Sequence, residues 1–350
     1  MALLERLPAS RPKPQSARRP WGLVLHERLW SFMRQMDISK IGGFRVGHAQ
    51  NRLAGTGCTV VLLDKMSPAG LDVRGGGPAS RESQILNPLM NAEGIHAVLI
   101  SGGSAFGLDA AGGVQKYLEE RGIGFDVGIA KVPLVSQSCL FDLTVGDKDV
   151  RPDAAMAYEA CENASYSSPE QGNVGAGTGC TIGKYRGNAR AMKSGFGAYA
   201  VEAGPFQVGA MVAVNAVGDV YNEDGTILAG LLKADGSGLS STLEEMFSDA
   251  DKLAVMPPCN TTLGVIVTNA RLTKTQLCKV AGMTHNGYAR AIRPVHTSAD
   301  GDSIYALSVG DLPGNVDLIG AMAAYAMERA IIQAVVKAES AYGIRGIETL

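Results

Sequence analysis

The chain has 350 residues, 46% of them hydrophobic and 19% charged, with a formal net charge of −2. This is the composition of an ordinary globular protein, with enough residues for one large domain or two small ones. The near-neutral charge gives no general attraction to nucleic acid or to an anionic membrane, so we expect neither as a partner.

The first 35 residues differ from the rest because they carry seven Lys and Arg residues against two Glu residues, a formal net charge of +5. They contain no apolar stretch long enough for a signal peptide or a membrane span. A transit peptide fits poorly because such peptides avoid acidic residues. Composition therefore predicts that residues 1–37 are a disordered basic tail, or an over-long start before Met36, and that residues 38–350 are a single domain.

From about Ile38 onward, strand-like and helix-like segments alternate. Short apolar runs bounded by turn residues predict buried strands, and longer segments with helical periodicity predict helices. In chain order these are strands at 59–63 and 96–100, helices at 106–121 and 152–163, strands at 209–217 and 263–269, and helices at 273–292 and 316–341. With no linker between them, these elements favour one α/β or α+β domain in which helices cover sheets.

Glycine, cysteine and histidine are the residue types that could have special roles. Glycines cluster at residues 75–77, 102–103 and 172–183, which indicates close backbone approach or turns with positive φ. The six cysteines include no C-x-x-C pair and the five histidines no H-x-x-x-H pair, so we expect no metal, no cofactor and no disulfide framework. Free thiols and the missing export signal indicate a cytoplasmic protein.

Several short motifs taken singly are typical of ordinary turns. Residues 175–179 are glycine-rich but do not satisfy G-x-G-x-x-G, and Ser104 resembles a nucleophile elbow whose G-x-S-x-G spacing fails. Residues 260–262, Asn-Thr-Thr, stand directly before an apolar strand. Asp300 and Asp302 flank a glycine, which places two carboxylates on one tight turn.

Taken together, seven segments carry a more specific pattern: Gly43 to His48, Gly55 to Val60, Asp72 to Pro78, Ser101 to Asp109, Gly175 to Lys184, Asn260 to Thr262 and Pro294 to Asp302. In this order they resemble the P1 peptidase family, which includes L-aminopeptidase/D-esterases, β-aminopeptidases and 6-aminohexanoate-oligomer (nylon-oligomer) hydrolases. The resemblance covers roughly residues 38–340. It implies an α+β fold, an αββα sandwich of the N-terminal-nucleophile type that is related to ornithine acetyltransferase.

The resemblance also implies a precursor that cuts itself before a Ser or Thr. The matching bond here joins Asn260 to Thr261, so the products would be residues 1–260 and 261–350. Similar enzymes keep the two fragments together and assemble as homo-oligomers, tetramers of such pairs.

Site roles follow from the same resemblance. Thr261 would be the nucleophile, and its freed α-amine would be the general base, since the pKa of an unperturbed α-amino group is roughly 7.7–8.0. Asp300 and Asp302 would orient the nucleophile, and Lys184 and Asn215 would stabilise an oxyanion.

Gly103, Ser104 and Phe141 are the candidate substrate-binding residues. Phe141 departs from the pattern, since some relatives carry a tyrosine at this position and phenylalanine has no hydroxyl to donate.

The leading functional prediction is therefore an amide hydrolase, an aminopeptidase or oligo-amide hydrolase, that acts on a small amide, peptide or ester. Two alternatives stay open. An acyltransferase of the same fold would pass the acyl group to an amine instead of water. A non-catalytic relative would keep an intact chain and bind a small ligand without turnover.

Overall fold

Two stacked β-sheets with helices on both outer faces make up the part of the chain that the computed structural model describes, residues 32–252 and 260–350. The basic segment through residue 31, Cys259 and the two prolines at 257 and 258 lie outside these described residues. The strands, in chain order, are β1 (Arg34–Met36), β2 (Phe44–Asn51), β3 (Thr56–Ser67), β4 (Ala69–Val73), β5 (Ala79–Arg81), β6 (Ile95–Ser101), β7 (Phe125–Asp126), β8 (Lys131–Val132), β9 (Val135–Cys139), β10 (Thr181–Ile182), β11 (Met192–Lys193), β12 (Phe196–Ala203), β13 (Phe206–Asn215), β14 (Asp219–Tyr221), β15 (Ile227–Ala229), β16 (Thr261–Arg271), β17 (Ile292–Arg293) and β18 (Ser303–Pro313).

The α-helices of the described residues are α1 (Ala111–Glu119), α2 (Ala154–Glu162), α3 (Thr242–Ser248), α4 (Lys274–Ala291) and α5 (Val316–Val336). Polar side chains cap most of their N-termini. Asp153 accepts a hydrogen bond at the start of α2, Asn315 does so for α5, and Thr273 forms a capping box with Gln276 at α4. These caps satisfy N–H groups that have no partner inside the helix, so they fix where each helix begins.

The two large sheets have different strand orders. The six-stranded sheet runs β1-β12-β13-β16-β18-β4, and the five-stranded sheet runs β2-β3-β6-β9-β5. In the six-stranded sheet the central strands β16 and β18 are parallel, whereas the other neighbours are antiparallel. The beginnings of β16 and β18 therefore lie at the same edge of this sheet.

Three apolar layers hold the sandwich together. Val265 and Val267 of β16 point inward, against the five-stranded sheet, while Ile266 between them points outward to α4 and α5. A third cluster joins the outer face of the five-stranded sheet to α1 and α2. This alternation of side chains across β16 is the reason one strand can serve two layers, and the predicted αββα sandwich is confirmed.

The predicted elements recur with shifted ends. The segment predicted as a helix at 106–121 begins with a 3-10 helix, Ser104–Ala110, and becomes α-helical only at Ala111. The glycines explain this difference, because a Cβ on Gly107 would lie 2.1 Å from the carbonyl oxygen of Gly102. Backbone packing at this entry, which periodicity does not reveal, overrides the helical pattern.

The basic segment contains one element that composition did not indicate. Arg34–Met36, assigned above to the tail, form β1, which is an edge strand of the six-stranded sheet and pairs with β12. Arg34 also forms an ion pair with Glu202 at 3.0 Å. The sheet therefore begins inside the segment that the sequence assigned to a tail.

Helix α5 is long and apolar enough, by length and composition, to cross a membrane. In the fold it packs on the six-stranded sheet, and a Cβ on Gly197 of β12 would lie 2.1 Å from the carbonyl oxygen of Ala330. Most of its apolar window is buried in this way, which is typical of a core helix.

Candidate active site

Thr261 is the first residue of β16 and is buried, with 4% of its surface exposed. It pairs across the sheet with Asn215, the last residue of β13. Its hydroxyl donates a short hydrogen bond to the carbonyl oxygen of Asn260. A hydroxyl thus lies against the peptide bond that precedes it.

The Asp300–Gly301–Asp302 turn reaches the same place because it leads directly into β18, which runs parallel to β16. An Asp302 Oδ1 atom accepts a hydrogen bond of 2.7 Å from the backbone N–H of Thr262. A Cβ on Gly301 would lie 2.6 Å from the Thr261 hydroxyl oxygen. The predicted acidic pair and the predicted nucleophile are therefore neighbours.

The glycine cluster at residues 75–77 supports this turn from the other side. Gly77 N–H donates to the carbonyl oxygen of Asp300 at 2.8 Å, and Arg74 N–H donates to that of Asp302 at 3.0 Å. A Cβ on Gly75 would lie 2.2 Å from the Asp300 carbonyl oxygen. The close backbone approach predicted for these glycines is thus used to hold the acidic turn.

The two carboxyl groups have different surroundings. Burial, together with the nearby charge of Asp302, raises the pKa of Asp300 to about 6, and Thr297 opposes this shift by donating to Asp300 Oδ2 from its N–H at 2.7 Å and its hydroxyl at 2.6 Å. Asp302 instead accepts N–H groups from Thr262 and from His296. The pair therefore combines one carboxyl group whose pKa is raised with another that accepts three N–H donors.

Lys184 and Asn215 form the opposite wall. Lys184 is only 2% exposed, and its Nζ donates to the side-chain oxygen of Asn215 at 2.8 Å and to its backbone oxygen at 3.0 Å. Asn215 Nδ2 in turn donates to the carbonyl oxygen of Phe141 at 2.7 Å. A buried lysine is thus fixed on the side chain of Asn215, the residue that pairs with Thr261.

The candidate substrate-binding residues connect to this wall through the backbone. Phe141 contributes its carbonyl oxygen to Asn215, and the N–H of Gly103 donates to Asp142 Oδ1 at 2.7 Å. The N–H of Ser104 donates to the carbonyl oxygen of Leu140 at 2.9 Å, and Ser104 has a φ of 54°. Gly103 and Ser104 thus bind Asp142 and Leu140, the two sequence neighbours of Phe141, and Phe141 in turn binds Asn215.

Two residues near the site were assigned no role from the sequence. Asp142 is buried and accepts hydrogen bonds from Gly103 and from the Thr56 hydroxyl at 2.6 Å, and burial raises its pKa. His296 binds the side chain of Asp302. Their position in the motifs around Phe141 and Asp300 was the only available indication, since neither spacing nor periodicity marks them.

The comparisons with known proteins agree with this geometry. The sequence profile described as peptidase family S58 matches residues 37–349. An uncharacterised aminopeptidase of Mycobacterium leprae is 36% identical over 88% of this chain and 92% of that protein. A 6-aminohexanoate-oligomer endohydrolase of Agromyces is 30% identical over 86% of each chain. The resemblance stated from the motifs is confirmed.

Solved structures extend the agreement to the fold. The L-aminopeptidase D-Ala-esterase/amidase of Ochrobactrum anthropi, described as a variant of the Ntn hydrolase fold, superposes with a TM-score of 0.64 at 19% identity, over 87% of this chain and 86% of that chain. A β-aminopeptidase of Burkholderia gives a TM-score of 0.62 at 20% identity, over 89% and 90% of the two chains.

Proposed function

The chain belongs to peptidase family S58, and from that premise we propose that it is a precursor which cuts itself between Asn260 and Thr261 and then uses Thr261 as its nucleophile. Hydrolysis of peptide or amide bonds is the activity that its family and its relatives' names support. The observation that carries the proposal is the hydrogen bond from the Thr261 hydroxyl to the carbonyl oxygen of Asn260. The turn from Asp300 to Asp302 and the side chains of Lys184 and Asn215 lie next to this bond.

Self-cleavage proceeds by an acyl shift. The Thr261 Oγ1 atom attacks the carbonyl carbon of Asn260, and the hydroxyl proton passes to the departing backbone nitrogen as the C–N bond breaks. The resulting ester is hydrolysed by water, which leaves a carboxylate on Asn260 and restores the Thr261 hydroxyl. Lys184 and Asn215 stabilise the oxyanion of the tetrahedral intermediates, since a cation and an amide N–H are suited to a developing negative charge.

Turnover repeats this chemistry on a substrate. The α-amine freed on Thr261 takes the hydroxyl proton as the oxygen attacks an amide or ester carbonyl, a role suited to a group whose unperturbed pKa is roughly 7.7–8.0. The leaving amine or alcohol receives that proton, and water then hydrolyses the acyl-enzyme. Asp302, bound to the N–H of Thr262, fixes the backbone from which this nucleophile projects.

The substrate class that we propose is a small amide, peptide or ester. Aminopeptidase and oligo-amide hydrolase activities both fit, because the relatives carry both names. The backbone carbonyl oxygen of Phe141 binds Asn215. Its phenyl side chain has no hydroxyl, so it would offer a substrate apolar contact in place of a hydrogen bond.

We also propose that the two fragments stay associated and that such pairs assemble as a homo-oligomer, a tetramer by resemblance, in the cytoplasm. The fold supports the association. Strands β16 and β18 belong to the smaller fragment and lie between β13 and β4 of the larger one. Separating the fragments would break both of these strand pairings and expose the inner core. Light scattering after size-exclusion chromatography measures the assembly.

The test is a denaturing gel of the purified protein with N-terminal sequencing of the smaller band. We expect a fragment of 90 residues that begins Thr-Thr-Leu-Gly. Thr261→Ala should remain intact and inactive on amide substrates, whereas Thr261→Ser, which keeps the hydroxyl, should still be cut. Wild-type protein that stays intact after long incubation, or a Thr261→Ala variant that is cut, would refute the proposal.

A further inference from the structure

The Asp302 carboxylate is held by three N–H groups from two separate segments. Oδ1 accepts from Thr262 N–H at 2.7 Å, and Oδ2 accepts from the backbone N–H of His296 at 3.1 Å and from its Nδ1 at 2.9 Å. A carboxylate only accepts hydrogen bonds, so Nδ1 of His296 must carry a proton. One oxygen of Asp302 thus serves the nucleophile's strand and the other is bound by His296.

The ring of His296 is itself tightly held. It stacks on Tyr288 with ring centroids 5.8 Å apart and packs edge-on against His285 at 4.6 Å. His285 is anchored in turn, because its Nε2 contacts the carbonyl oxygen of Asp72 at 3.1 Å. Burial lowers the pKa of His285 to about 4, so this second ring is neutral at physiological pH and adds no charge beside His296.

Only one of the two ring nitrogens of His296 forms a hydrogen bond within the described residues. Nε2 is buried and has no hydrogen-bond partner among residues 32–252 and 260–350, while Nδ1 binds Asp302. The residue also adopts a φ of 57°, in the left-handed region where non-glycine residues are uncommon and Asn, Asp and His are the most frequent of them. A buried ring whose one hydrogen bond is directed at the carboxylate that holds the start of β16 is better explained by that bond than by packing alone.

We propose that His296 is a positioning residue, which fixes Oδ2 of Asp302 so that Oδ1 stays on the Thr262 N–H and Thr261 stays aimed at its carbonyl. The inference rests on the proposed function, since it concerns the same site. Without the Nδ1–H donor, Oδ2 keeps only the longer bond of 3.1 Å from the backbone N–H of His296, so the Asp302 carboxylate is held less firmly and the start of β16 has a less fixed partner. A shift of about 1 Å at a reacting group costs on the order of 10²-fold in rate.

Two substitutions separate the hydrogen bond from the backbone conformation. His296→Asn keeps a side-chain N–H close to the position of Nδ1, and His296→Gly removes it, while both residues tolerate positive φ. Both also remove the imidazole ring from Tyr288 and His285, so the two variants lose the same ring contacts. Thermal unfolding of each variant controls for stability.

We expect His296→Asn to cleave itself and turn over substrate at close to the wild-type rate. His296→Gly should lose on the order of 10²-fold in self-cleavage and in kcat, with KM little changed. A His296→Gly variant as fast as a self-cleaving wild type would overturn this inference and leave the proposed function intact. Two variants that are equally slow and equally stable would also overturn it, because ring packing would then be the cause. A wild type that never cleaves would instead refute the proposed function.

Discussion

Buried charge occurs in two regions of the sandwich that look alike at first sight. The Thr261 cluster comprises Lys184, Asn215, Asp300 and Asp302, which surround Thr261. We use the name scaffold pair for two residues outside this cluster, Lys193 of β11 and Asp219 of β14, each buried among its own backbone partners. Both regions contain a lysine and an aspartate that are almost fully buried.

The partners of these charges differ. Lys193 Nζ donates to the backbone carbonyl oxygens of Cys180 at 2.9 Å and Ser194 at 2.6 Å, and Asp219 accepts from the N–H groups of Leu231 at 2.8 Å and Thr242 at 2.7 Å. Burial lowers the pKa of Lys193 to about 8 and raises that of Asp219 to about 6. Their hydrogen bonds join backbone segments to one another.

In the Thr261 cluster the charged side chains lie close to side-chain groups, a hydroxyl and an amide. Asp300 and Asp302 lie beside a hydroxyl, and Lys184 lies on a side-chain amide opposite it. The pKa of Asp300 and that of Asp219 are both raised to about 6. A raised pKa alone therefore does not distinguish the proposed catalytic aspartate from a structural one in this protein.

The largest difference between the two regions should appear when each lysine is replaced by Met. Lys184→Met should lower self-cleavage and turnover by about 10²–10³-fold, because an oxyanion donor is lost. Lys193→Met should destabilise the fold, since buried carbonyl groups lose their donor at about 1–3 kcal/mol each. Its rate per folded molecule should stay close to wild type.

Active-site titration with thermal unfolding measures both properties. The distinction between a catalytic and a structural lysine would be contradicted if Lys193→Met lost as much rate per folded molecule as Lys184→Met. It would also be contradicted if Lys184→Met kept its rate and lost only stability, because Lys184 would then belong to the scaffold.

A smaller effect should follow from adding one methyl group to the acidic turn. The Cβ of Gly301→Ala would lie 2.6 Å from the Thr261 hydroxyl oxygen, so the hydroxyl must move and self-cleavage should slow by roughly 10- to 100-fold. Gly77→Ala is the matched control, since its Cβ would meet only the carbonyl oxygens of Asp300 at 3.8 Å and Ser298 at 3.9 Å. Stopped-time gels of both variants give the rates, and equal rates would show that the Thr261 hydroxyl has room to adjust.

Much of this arrangement could be predicted from the sequence, but by two different routes. The apolar run of β16 and the helical periodicity of α4 and α5 are local, so they predicted β16 and α4 to within two residues at each end, and α5 with an end five residues too late. The site residues came from the order of motifs and not from their own chemistry, because an Asn-Thr-Thr or an Asp-Gly-Asp is an ordinary turn by itself.

What the sequence could not supply was long-range pairing. The parallel register of β16 with β18 brings Thr262 to Asp302, and residues 75–77 reach the same turn from the end of β4. Such contacts depend on strand order, which periodicity does not encode. Asp142 likewise depends on contacts with Gly103 and Thr56 that lie far away in sequence, whereas His296 reaches Asp302 within one loop whose conformation periodicity does not encode.

The last expected effect concerns stability rather than rate, and it tests Asp219 of the scaffold pair. Asp219 has a raised pKa of about 6 in the fold against 3.8 for an unperturbed aspartate, so the folded protein retains a proton between these values that the unfolded chain has lost. Its ionisation therefore costs stability as pH rises from about 4 to about 6, by about 3 kcal/mol for a shift of this size. Replacing it by Asn removes the titration.

The free energy of unfolding, measured by urea denaturation from pH 4 to 7 for wild type and Asp219→Asn, checks this. The stability of the wild type relative to the variant should be greatest near pH 4, fall as pH rises towards 6, and then become constant. Asp300 titrates in both proteins, so its contribution cancels in the difference. A difference that does not change with pH would mean that the donors from Leu231 and Thr242 outweigh burial and keep Asp219 ionised. The hydrogen-bond donors of Asp219 would then determine its charge state more strongly than its burial does.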